Sequence, residues 1–61
     1  MRALRALVAR RDALDAMRTQ ERNRLGVAAD TVRPGIEAHL TYLEQALTDI
    51  EAAIRHKISV T

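Results

Sequence analysis

Hydrophobic positions are most regular in the second half of the chain. Ile36, Leu40, Leu43, Leu47, Ile50 and Ile54 are spaced 4, 3, 4, 3, 4. Such alternation is an a/d heptad seam, which a helix gathers onto one side. Leu40, Leu47 and Ile54 take a positions, and Ile36, Leu43 and Ile50 take d positions. Ala46 and Ala53 widen the stripe on one flank, while Glu37, Glu44 and Glu51 recur every seven residues on the other. The first half repeats the period with more charge in it. Leu4, Leu7, Arg11, Leu14, Arg18, Glu21 and Leu25 are spaced 3, 4, 3, 4, 3, 4, with Val8, Ala13 and Met17 adding apolar surface beside them.

The break between the two patterns lies at Gly26-Val27-Ala28-Ala29-Asp30, ahead of Pro34-Gly35. Gly26 stands where a left-handed helix terminus belongs, with Arg22 and Arg24 suited to the negative end of the helix dipole. Asp30 or Thr31 can cap the next helix. Thr31 is preferred because it makes Pro34 the third helical residue, where no N–H is missed. The pattern predicts a helix over 2–25, a turn over 26–30 and a helix over 31–58, with Ser59, Val60 and Thr61 frayed.

Antiparallel partners have residue numbers with a constant sum. Leu25 with Ile36, Leu14 with Leu47, and Leu7 with Ile54 all give 61, and Leu4 with Ile58 gives 62. The same register sets Arg11 near Glu51 and Arg18 near Glu44. Their aliphatic stems would cover the seam while the guanidinium groups reach the carboxylates. The expected fold is therefore all-α: an antiparallel, coiled-coil-like helical hairpin. Each helix is about 25 residues, or roughly 37 Å. Two helices alone should leave each stripe half covered, so the hairpin is expected to form a homodimeric four-helix bundle. The seam of that assembly is Leu4, Leu7, Leu14, Met17, Leu25, Ile36, Leu40, Leu43, Leu47, Ile50 and Ile54.

Composition sharpens this picture. A chain of 61 residues is at most one small domain. It has no cysteine, so neither disulfides nor thiolate metal sites help stabilise it. No run of 18 apolar residues could span a membrane. The N-terminal arginines lack the apolar run of a secretory signal. No glycine-rich phosphate loop, nucleophile set or metal-ligand cluster is present, and no cofactor is expected. His39 borders the stripe and reads as a packing or capping residue; His56 reads as a dipole or solvent residue. Charge is uneven: residues 2–25 hold seven arginines against three acids. Arg5, Arg10, Arg18, Arg22 and Arg24 on the first helix are the candidates for contact with RNA or DNA. Such contact would be sequence-blind and salt-dependent.

One stretch is more specific than its period requires. Leu4-Arg5-Ala6-Leu7-Val8-Ala9-Arg10-Arg11-Asp12-Ala13-Leu14 leads into Met17-Arg18-Thr19-Gln20-Glu21-Arg22-Asn23-Arg24-Leu25. Ile36-Glu37-Ala38-His39-Leu40, Leu43-Glu44, Ile50-Glu51 and Ile54 follow. This resembles the central helical segment of the DEDD-type insertion-sequence transposases, over nearly the whole chain. Members of that family join a RuvC-like domain to a serine-containing domain through a coiled-coil insert. They act as recombinases guided by a bridge RNA.

The resemblance implies a non-catalytic dimerisation scaffold of a transposase, a fragment of a larger protein with Met1 supplied as a start codon. Its partners would be a second copy, the rest of the transposase chain, and guide RNA or DNA through the first helix. It implies a bacterial, cytoplasmic and nucleoid-associated location for the parent. The family's acidic cluster and serine site have no counterpart in these residues, so no catalytic residue carries over. Two other readings stay open. One is a stand-alone RNA-binding hairpin dimer, like small plasmid copy-control regulators in architecture. The other is an enzyme resembling the all-helical chorismate mutases, with Arg11 and Arg18 holding a dicarboxylate.

Overall fold

The computed structural model describes residues 2–59. The chain forms helix α1 over Arg2–Val27 and helix α2 over Arg33–Ser59, packed against each other as a hairpin. The result is a rod of 48 × 14 × 11 Å. Leucine, alanine, arginine and glutamate lose little on entering a helix, which explains two elements of this length. Hydroxyl residues inside the helices bond back onto their own backbone. Thr19 Oγ1 donates to the Asp15 carbonyl, Thr41 to Glu37 and Thr48 to Glu44, each at 3.1 Å.

The core forms along the expected seam. Leu14, Leu43 and Leu47 make one buried cluster, with Ala46 and Ile50 packed against it. Leu14 and Leu47, one of the pairs whose numbers give 61, share that cluster with Leu43, as the register read from the sequence requires at mid-rod. Leu40 and Ile54 are also buried; Leu4, Leu7, Leu25, Ile36 and Ile50 are half-buried. Met17, by contrast, is exposed.

Coverage of the second stripe is a correction to the expectation. Leu43 has no exposure, and Leu40, Leu47 and Ile54 have 9% or less, within a single hairpin. α1 manages this because Arg11 and Arg18 lie half-buried on the seam, where their methylene stems shield the leucines. Arg18 Nε is left out of solvent with no partner, a local cost of that cover.

The turn also differs in detail. Gly26 is not in the left-handed conformation, and α1 continues through it to Val27. Its last turn is closed from outside instead. The Arg33 guanidinium donates to the Leu25 carbonyl at 3.0 Å, and the Ala28 N–H reaches the same oxygen at 3.5 Å. A carbonyl served in this way needs no glycine-dependent reversal. Across the connection, Val32 N–H and Arg33 N–H both donate to the Ala29 carbonyl, at 2.9 and 3.2 Å. α2 therefore begins at Arg33, two residues later than expected, and Thr31 belongs to the turn. Pro34 is its second residue, where a missing N–H is still harmless. Ser59 ends α2 as a helical residue, its Oγ donating to the Arg55 carbonyl at 2.8 Å. Val60 and Thr61 lie outside the described residues.

Candidate functional site

The most concentrated polar chemistry lies between the core and the turn. Glu21 is a d-type seam position on α1 and is 6% exposed, the one buried charged residue among those described. Both of its oxygens are used. Oε2 accepts from His39 Nδ1 of α2 at 2.8 Å, and Oε1 accepts from Arg24 one turn along α1 at 2.8 Å. A buried carboxylate is costly unless its lone pairs are met in this way. The His39 hydrogen bond, aided by Arg24 and opposed by desolvation, holds the Glu21 carboxyl below its ordinary value of 4.5. The His39 ring also stacks on Tyr42, with centroids 6.3 Å apart and planes 10° apart. Glu21, Arg24, His39 and Tyr42 thus form a clasp across the hairpin next to its turn.

The two expected register pairs are replaced. Arg11 bonds Asp12 at 3.2 Å and Arg18 bonds Asp15, both on their own helix. Glu44 is met by Arg22 at 3.2 Å, one turn closer to the hairpin's turn than Arg18. An acid one or three residues away on the same helix can be reached with less loss of side-chain freedom than one across the seam. That leaves Glu51 beside Arg11 in a shared hollow but with no ion pair to it. The hollow that Arg11 and Arg18 line also contains Asp12, Asp15 and Glu51. Three carboxylates against two arginines make the lining of that hollow net negative, whereas the mutase reading expects a positive one.

The first-helix arginines separate into two groups. Arg18, Arg22 and Arg24 are engaged by Asp15, Glu44 and Glu21. Arg5 and Arg10 are exposed and in no ion pair among the described residues. No group of three or more metal-ligating side chains occurs among the described residues, and none of their helices is long and apolar enough to cross a membrane.

Sequence reasoning missed Arg33 as the residue that closes the turn, and it missed the pairing of Glu21 with His39. The second carried a readable signal: their numbers sum to 60, within one of the register that the leucines define. Arg33 carried none, because a carbonyl at a helix terminus accepts from any donor in reach. No protein family, curated protein or solved structure matches this chain.

Proposed function

We propose that this hairpin is the non-catalytic scaffold segment of an insertion-sequence transposase, and that two copies associate through it into a four-helix bundle. One observation carries the reading. The two most specific strings in the sequence are Met17-Arg18-Thr19-Gln20-Glu21-Arg22-Asn23-Arg24-Leu25 and Ile36-Glu37-Ala38-His39. They meet in space, because Glu21 of one is bonded to His39 of the other. Three of the positions that carry the transposase resemblance, Glu21, Arg24 and His39, clasp the hairpin. A segment whose work is to hold its own shape, rather than to perform chemistry, would place its distinctive residues there.

Association is supported by surface area. The hairpin exposes 4619 Å², whereas a compact monomer of this mass exposes about 4,000 Å². The half-buried positions Leu4, Leu7, Leu25, Ile36 and Ile50 leave apolar edges for a second hairpin to cover. Sedimentation equilibrium at micromolar concentration tests this part; the expected mass is twice the chain's 6.8 kDa. A helical species at the single-chain mass would overturn the bundle. The transposase role is tested in the parent gene, where a RuvC-like acidic domain must precede these residues and a serine-containing domain must follow. Deleting the hairpin from that parent should abolish recombination of a plasmid-borne element. A reading frame without those domains would overturn the role.

A further inference from the structure

Folding redistributes charge in a way that neither helix shows alone. The hairpin brings the start of α1 beside the end of α2, so residues 2–10 and 52–59 share the open end of the rod. That end contains Arg2, Arg5, Arg10, Arg55 and Lys57, five of the ten basic residues, and none of the eight acidic ones. The stretch 11–51 contains the other five basic residues and all eight acids, a balance of −3. Arg2, Arg5, Arg10 and Arg55 are exposed, and none makes an ion pair among the described residues. Arg10 and Arg55 mark the inner border, where they line hollows with Asp49 and Glu51 respectively.

We propose that this open end is a docking surface for the phosphate backbone of double-stranded nucleic acid, with Arg2, Arg5, Arg10 and Arg55 as its contacts. The proposal does not rest on the scaffold reading. Guanidinium forks match phosphate oxygens, and arginine predominates over lysine here. A single strand would want aromatic platforms, and Tyr42, the chain's one Phe, Tyr or Trp, is exposed but sits in the half of α2 nearer the turn, away from this end. A lipid surface would want an apolar face beside the cations. At this end Ile54 is buried and Leu4 and Leu7 are half-buried, and Ile58 is the one large apolar side chain exposed among the described residues. The contact also moves away from Arg18, Arg22 and Arg24, whose charges are engaged by neighbouring acids.

The test is fluorescence anisotropy of a labelled 20-base-pair DNA duplex titrated with the 61-residue chain across a salt series. Four phosphate contacts give a slope of log K against log salt of roughly −3.6, or about a hundredfold loss between 50 and 200 mM. Arg5→Gln with Arg55→Gln should weaken binding at least tenfold and reduce the slope by about 2. Gln20→Glu with Asn23→Glu changes the net charge by the same amount at exposed positions elsewhere on α1, and should stay within about twofold of the parent. Arg2→Gln with Arg10→Gln is a second disruptive pair, and circular dichroism checks that every variant keeps its helix content. Equal weakening by the control pair would overturn the proposal. So would anionic vesicles or single strands binding as tightly as the duplex. A change in oligomeric mass with duplex affinity unchanged would reassign the surface to a second copy of the chain.

Discussion

Glu21 shows how much one side chain can decide in a rod this thin. It occupies a seam position where a leucine would be expected, and it is kept ionised there by His39 and Arg24. Its carboxyl is held below its ordinary value, so the folded state favours the charged form. The resulting stability is fully present above the ordinary value of 4.5 and is lost as pH falls through the lowered one. Thermal melts followed by circular dichroism should therefore show a midpoint that drops as the solution is acidified below pH 4.5. Glu21→Gln should lower the midpoint at neutral pH and remove part of that acid dependence. If the variant and the parent gave parallel pH profiles, the clasp would contribute nothing.

At the scale of the elements, the turn is where local sequence rules and tertiary contacts disagree. Gly26 is helical, has no left-handed backbone, and has open space where a side chain would project. Gly26→Ala should therefore stabilise the hairpin by about 0.4–1 kcal/mol, through a less flexible unfolded chain. A true left-handed terminus would lose stability on the same change, so urea melts decide between them. Arg33→Ala removes the bond to the Leu25 carbonyl and should cost about 1 kcal/mol.

Both helices and their mid-rod register were legible because a leucine seam repeats, and three of its apolar pairings satisfy one sum; Ile58, expected opposite Leu4, is exposed instead. The limits of the turn were not legible, since Arg33 closes it from eight residues away. Nor were the ion pairs: Arg18 had two acids in reach, and helical spacing alone does not rank Asp15 above Glu44. The candidate site was half visible. Arg5 and Arg10 were in the expected set and Arg2 lay beside them on the same helix, but Arg55 joins them only once the chain doubles back.

At the scale of the whole molecule, the hairpin covers the middle of its own seam and leaves the margins open. Leu43 is fully enclosed by one chain, while Leu4 and Leu7 near one end and Leu25 and Ile36 near the other remain half-buried. A second hairpin that covers those margins would couple folding to association. The thermal midpoint should then rise by roughly 10 °C over a hundredfold increase in chain concentration. A midpoint independent of concentration would mean that each hairpin folds alone.

The doubling-back also has a topological result. The hairpin sets the start of α1 and the end of α2 at the same end of the rod, and packed helices lie about 8–10 Å apart. Such a spur can be spliced into a surface loop of a host domain without prying the host's two strands of chain apart. It can equally be clipped out and bridged by a few glycines. Both ends of the hairpin thus share one root, and the tip at Ala29 stands at the far end of a rod 48 Å long.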